Sequence, residues 1–222
     1  SRLIRGQVAS FCNITSWYVL DEYKSHSMRL AIALTSQSGF HFTDFTPTRT
    51  VTESLKFLKF EVIDARQIWL PNLPAMFRPF TPGEVIDEPE AMLSALDEVQ
   101  AKVASDHLQL PWLCQIAITG KVGKLHIVYK ALPIGDKPGA FVLAASDRAL
   151  FTKYLPRFQR YLLKQGIGRI RFEQRFVLRA PRLAFALAGT PMKVFLSSSL
   201  EEADIDNLYS EVAALDIRAQ LI

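Results

Sequence analysis

A short charged segment, Asp21-Glu22-Tyr23-Lys24-Ser25-His26-Ser27, separates two apolar runs of this chain. Before it stands Trp17-Tyr18-Val19-Leu20, the end of a stretch rich in β-branched and aromatic residues. After it, Met28, Leu30, Ala31, Ile32 and Leu34 begin a helix interrupted only by Arg29. A turn that feeds a helix N-terminus delivers backbone N–H groups that have no intrahelical acceptor, and such groups suit phosphate oxygens. Lys24 and Arg29 add cations, and Ser25 and Ser27 add hydroxyl donors beside their amides. The chemistry legible here is anion binding.

Groups able to move protons lie close by. Glu22, His26, His41 and Asp44 are titratable, and Cys12, Asn13 and Ser16 line the preceding strand-like run. Nothing in their spacing ranks one of them as a base. His26 reads first as an exposed turn residue, and Asp44, inside an apolar run, as a cap or a buried hydrogen-bond partner. Two cysteines, Cys12 and Cys114, sit in apolar runs, which favours buried free thiols over a disulfide. They and the four histidines (His26, His41, His107, His126) show no zinc-site spacing.

The elements that must position these groups follow from periodicity. Val8–Leu20 is expected as one strand with an irregularity near Asn13. Ser36-Gln37-Ser38-Gly39 stops the next helix, which, apolar nearly all round, is expected to be buried against a sheet. Phe40–Phe45 gives a strand. Thr50-Val51-Thr52-Glu53 has capping-box spacing and opens a short helix with Leu55 and Leu58 inward. This β-α-β-α order favours a right-handed crossover between parallel strands and an α/β arrangement. Glu61–Trp69 reads as a further strand, and the proline-rich segment 71–89 reads as a linker.

Beyond it, Glu90–Leu108 is helical, and Leu113–Thr119, Lys124–Ala131 and Ala140–Ala145 are strands. Ser146 is expected to cap a long helix that Pro156 kinks or restarts. Arg169–Leu178 alternates as a half-exposed strand. Leu183–Leu196 supplies one or two strands, and Ser199-Leu200-Glu201-Glu202 caps a final amphipathic helix bearing Ile205, Leu208, Tyr209 and Val212.

Composition narrows the class. The chain has 222 residues, about half of them hydrophobic (49%), with net charge +4. A charge this small and dispersed suits an anionic small molecule and does not argue for nucleic acid. The row Arg169, Arg171, Arg175, Arg179 and Arg182 lacks the interleaved exposed aromatics of a single-strand binder and reads as a solvated strand face. No run approaches the length of a membrane span and no signal peptide is legible, so a cytoplasmic location is the default expectation.

The stretch from Trp17 to Phe60 resembles the acyl-CoA-binding core of the GNAT-type N-acyltransferases. In that family an aliphatic strand end and a short acidic segment lead into Arg/Gln-x-x-Gly-x-Gly/Ala. Here Tyr18-Val19-Leu20-Asp21-Glu22-Tyr23 precedes Lys24-Ser25-His26-Ser27-Met28-Arg29, with Lys24 at the basic position and serines where glycines are usual. Phe57-Leu58-Lys59-Phe60-Glu61 resembles the Leu-Gly-Phe-Glu that follows the family's fourth helix. About a quarter of the chain carries the likeness well.

The resemblance implies a GNAT-like mixed twisted sheet flanked by helices, of α/β (α+β) class. It also suggests two GNAT-like halves: residues 1–70 as the C-terminal part of an acyl-CoA-binding unit without its opening strands, and 90–222 as a second GNAT-like or α+β half. It further implies transfer of an acetyl or other acyl group from acyl-CoA to an amine acceptor. Pantetheine would lie along Tyr18, Val19 and Leu20, and pyrophosphate on Lys24, Ser25, His26, Ser27, Met28 and Arg29. One or two arginines of the later row would be free to clamp an acidic substrate or the CoA 3′-phosphate. The tyrosine that serves many members as acid is replaced by Leu55, beside Ser54, with Thr52 as one substitute. That vacancy, and the serines, favour an alternative: a catalytically inactive GNAT-like binding or scaffold module. An open sheet edge in a truncated unit would allow pairing with the second half or with another copy, as a homodimer.

Overall fold

The computed structural model describes residues 1–73, 83–189 and 191–216. Its elements run β1 (Arg2–Ile4), β2 (Gln7–Asn13), α1 (Ser27–Thr35), β3 (Phe40–Asp44), α2 (Arg49–Phe57), β4 (Glu61–Val62), β5 (Gln67–Pro71) and β6 (Glu84–Ile86). Then come α3 (Pro89–Ala95), α4 (Glu98–His107), β7 (Cys114–Gly120), β8 (Gly123–Ile134), β9 (Lys137–Ala145), α5 (Arg148–Lys164), β10 (Arg169–Glu173), β11 (Phe185–Ala186), β12 (Val194–Leu196) and α6 (Glu211–Ala214). Two compact units result: 1–64 with 191–215, and 65–190 with the chain end. The cut falls at Asp64, earlier than the residue-70 boundary read from sequence, and 191–215 returns to the first unit. The reason is pairing: β12 bonds to both β3 and β4. Of the proline-rich segment, 74–82 lie outside the described residues. Its flanks are tied into the second unit, through Asn72 to Ile167 and Gly168 and through β6 to β7.

The first unit is a mixed sheet in the order β1-β2-β3-β12-β4. β1 and β2 form a hairpin across Arg5-Gly6, both at positive φ (50° and 78°), as a two-residue turn of right-handed strands requires. β2 and β3 are parallel, so the expected crossover through α1 is present. One face buries Ile14, Phe42, Leu55, Phe60 and Val194, joined by Leu34 of α1 and by Val51 and Leu58. Each fully buried side chain of this size contributes about 1.5–3 kcal/mol.

Two expectations shift. β2 ends at Asn13, and 14–20 run on outside the ladder. In α1 only Ala31 is fully buried, while Leu30 and Ile32 are exposed. An apolar sequence states a preference for burial, and the packing partner decides whether it is met.

The second unit has a seven-stranded sheet in the order β11-β5-β10-β9-β8-β7-β6 among the described residues. β9 and β10 are its parallel pair, joined by α5. Ile116, Ile118, Leu125, Ile127, Val142, Phe172 and the α5 residues Phe151, Tyr154 and Phe158 form its core. Asp147, one residue after the predicted cap, accepts from Leu150 N at 2.7 Å, and α5 runs unbroken through Pro156. The predicted helix 90–108 is two helices, broken at Leu96 where the backbone turns extended before Asp97 caps α4. The final helix shrinks to α6, preceded by a 3-10 turn in which Glu201 and Asp204 form the capping box.

Candidate functional site

In the first unit β2 and β3 pair only from Ser10↔Phe40 to Asn13↔Thr43, with a last bond from Ile14 N to Thr43 O at 2.7 Å. Beyond that point β2 ends, and 14–20 run on outside the ladder toward the charged segment. Ser16 adopts φ 54°, a left-handed value uncommon for a non-glycine, where the departing segment bends. Asn13 pins the branch point: its Nδ2 donates to Thr43 O (3.3 Å) and Thr43 Oγ1 (3.1 Å), and its Oδ1 accepts from Glu211 N (3.1 Å). The Asn13 amide is thus committed to holding Thr43 and Glu211 in place.

Between this departing segment and α2 lies a recess of about 360 Å³ lined by Trp17, Tyr18, Val19, Asp21, Lys24 and Ser27, with Thr50, Val51 and Ser54 of α2. Of the predicted anion-site residues, Tyr18, Val19, Lys24 and Ser27 meet there. Leu20, Ser25, His26, Met28 and Arg29 are not in its lining. The charged segment is wound more tightly than a loop. Asp21–His26 is a 3-10 helix running directly into α1, so the amides of Tyr23 and Ser27 already donate to Leu20 O and Lys24 O. His26 is the N-cap of α1 and makes no side-chain cap bond. Lys24 Nζ lies 2.7 Å from Asp21 Oδ1, both well exposed, a contact worth little in water and open to exchange for another anion.

Five lining residues were not singled out from sequence as ligand contacts: Thr50, Val51, Ser54, Asp21 and Trp17. The first three come from a helix about 30 residues downstream. Helix α2 starts at Thr48, whose Oγ1 accepts from Val51 N (3.3 Å), two residues before the predicted cap. That register turns Thr50 and Ser54 toward the recess and Leu55 into the core, where it is fully buried. Trp17 Nε1 is buried without a hydrogen-bond partner. A buried indole N–H left unpaired in a pocket wall has the chemistry to donate to a ligand carbonyl or phosphate oxygen.

The titratable groups sort by environment. Thr52 is buried, its Oγ1 donating to Thr48 O at 3.0 Å, so it is structural. His41 Nδ1 is 2.9 Å from Ser197 Oγ, and burial holds its pKa below the usual imidazole value. Burial pushes the thiols of Cys12 and Cys114 up; both are free and only part-buried. Asp44 is buried at the end of β3 and accepts from Thr46 N at 3.2 Å. Desolvation lifts its pKa to about 7; the Thr46 amide opposes this and the Glu211 carboxylate adds to it. Glu211 Oε1 accepts from Phe45 N (3.1 Å) and Thr46 Oγ1 (2.9 Å), while its Oε2 has no partner.

Three arginines of the row are engaged within the second unit. Arg169 Nη1 donates to Ile134 O, Arg171 to Gln67, and Arg175 Nε lies 2.6 Å from buried Glu173. Among the described residues there is no cluster of three or more potential metal ligands, and no helix is long and apolar enough to cross a membrane.

No protein-family model matches the chain, and no curated protein matches it. Solved structures do. A GCN5-related N-acetyltransferase from Anabaena variabilis superposes with a TM-score of 0.55 at 11% identity, covering 87% of this chain and 56% of that one. A conserved Enterococcus faecalis protein of unknown function, described as a probable N-acyltransferase, gives 0.51 at 11% identity with the same coverages. The chain spans a little over half the length of these structures. At this identity the likeness is one of architecture, and it gives the chain a GNAT-type fold.

Proposed function

We propose that the first unit binds an acyl-CoA and transfers its acyl group to an amine. The observation that carries this reading is the recess between the charged segment and α2, walled by Trp17–Val19 on one side and by Thr50, Val51 and Ser54 on the other. Backbone at Tyr18, Val19 and Leu20 that belongs to no helix or strand suits the pantetheine arm, and the unpaired Trp17 N–H suits one of its carbonyls. Lys24, with Ser25, His26, Ser27, Met28 and Arg29 around it, would take the pyrophosphate, Asp21 giving up its contact with Lys24. The neutral acceptor amine attacks the thioester carbon, a C–N bond forms, the C–S bond breaks, and the proton lost from nitrogen balances the one taken up by the departing sulfur. Ser54 is the hydroxyl nearest in sequence to the vacant tyrosine position and lines the recess.

The β–α–α–β–β–β–α–β order from β6 to β10 fits a second GNAT-like half, and a cytoplasmic setting with a homodimer on an open edge of the first sheet fits the same reading. Calorimetric titration with acetyl-CoA and with CoA is the test, followed by thiol release over an amine panel. Saturable micromolar binding is expected, and no binding to folded protein at millimolar ligand would sink the proposal. A second reading, a scaffold that keeps the fold without the chemistry, is favoured by Leu55 lying fully in the core. It predicts folded protein with no thiol release from any amine.

A further inference from the structure

Helix α5 contains Arg148, Lys153, Arg157, Arg160 and Lys164 and not one carboxylate. Its inner face is spent on Phe151, Tyr154, Leu155, Phe158 and Leu162. Lys153, Arg157, Arg160 and Lys164 therefore share the outer face at helical spacing, where like charges three and four apart destabilise one another. The C-terminal end of the helix dipole compensates Lys164, but Arg157 lies two turns away from that end, beyond its reach. Arg148, by contrast, has a partner, its Nη2 donating to Val177 O at 3.0 Å.

Arg157, Arg160 and Lys164 converge with Tyr161 and Val85 on a recess of about 170 Å³. None of the three cations has a side-chain partner among the described residues, whereas the arginines of β10 are all engaged. One carboxylate is close: Asp87 Oδ2 accepts from Tyr161 Oη at 3.0 Å. Three cations against one hydroxyl-bound carboxylate leave the recess with an excess of positive charge and a concave shape, where a flat solvated face would have only the first.

We propose that this recess is an anion site for the diphosphate group of a small molecule, separate from the recess of the first unit. Two guanidinium forks and an ammonium around one cavity match the oxygens of a diphosphate, which would relieve the repulsion along α5. The test is calorimetry of the full chain with inorganic pyrophosphate at low ionic strength. Saturable binding is expected. It should weaken at least tenfold in Arg157→Gln/Arg160→Gln and severalfold in Lys164→Gln, whose exposed side chain is not needed for folding, and persist in Lys24→Ala. The ligand-free double variant should melt no lower than the parent, since its loss removes repulsion. Binding lost in Lys24→Ala but kept in the arginine variant would overturn the proposal, as would absence of saturation. A single-stranded oligonucleotide that binds the recess without competition from pyrophosphate would overturn it too.

Discussion

The molecule contains two parallel strand–helix–strand crossovers, β2–α1–β3 and β9–α5–β10, and they are built to opposite ends. The first has a nine-residue helix with one buried residue and no side-chain cap, and it leaves a recess beside the segment that leads into that helix. The second has a 17-residue helix with six buried residues, and the Asp147 carboxylate occupies its N-terminus. Where its strands end, Phe151 meets Phe172 edge-on at 5.4 Å, Phe176 and Val177 fill in behind, and Leu178 N donates to Thr152 Oγ1. A carboxylate cap and an aromatic plug remove the two things an anionic cofactor needs, free dipole ends and space. The same topology can thus be a site or a core, and local side chains decide which. The buried acids follow the same division. Glu173 of the second unit is paired to Arg175, and Asp44 of the first lies beside another carboxylate.

Breaking the packed crossover should have the largest effect. Phe158→Ala should lower stability of the second unit by roughly 3–5 kcal/mol, whereas Leu30→Ala on α1 should stay within about 0.5 kcal/mol, both read by denaturant unfolding. Comparable losses would mean that α1 is as well packed as α5. Next comes the unpaired acid. Asp44 has a folded pKa of about 7 against 3.8 unfolded. The stability tied to its protonation is therefore full below about pH 3.8 and lost as pH rises through about 7. Asp44→Asn should flatten that slope and stabilise the protein by roughly 2–4 kcal/mol at pH 8. Unfolding midpoints that fall equally with pH in both proteins would place the titration elsewhere.

A smaller effect sharpens the functional contrast. Lys24→Ala should weaken CoA binding by roughly 1–3 kcal/mol, and an unchanged affinity would remove Lys24 from the site. Last, Asp147→Ala should cost about 1 kcal/mol as a lost cap, with no matching loss from His26→Ala in α1. Equal losses would show that His26 caps in solution.

What could be read in the sequence was whatever depends on neighbours along the chain. β3 and β7 to β9 follow from β-branched runs bounded by glycine turns, and the start of α1 from the switch out of an alternating run. The lining of the recess was only half legible, since Tyr18, Val19, Lys24 and Ser27 are local to one turn while Thr50, Val51 and Ser54 reach it by tertiary packing. Capping positions slipped by one or two residues because Thr48, Thr50 and Thr52 are chemically equivalent candidates, and only Thr48 has the extended ψ of 162° that a cap requires. The final helix was overestimated for a different reason. Tyr209 sits at φ 55°, which no helix accommodates, so only Ser210 onward can wind.

The return of β12 to the first sheet has a consequence for biosynthesis. Residues 65–190 must leave the ribosome before Val194 can meet Asp44 and Val62, and at about 5–20 residues per second that takes roughly 6–25 s. During this interval the nascent first segment holds β3 with an unfilled edge and no strand to close it. The core residues of the second unit all lie within 65–190 and can pack meanwhile. Chaperone dependence in vivo should therefore reside in the segment made first.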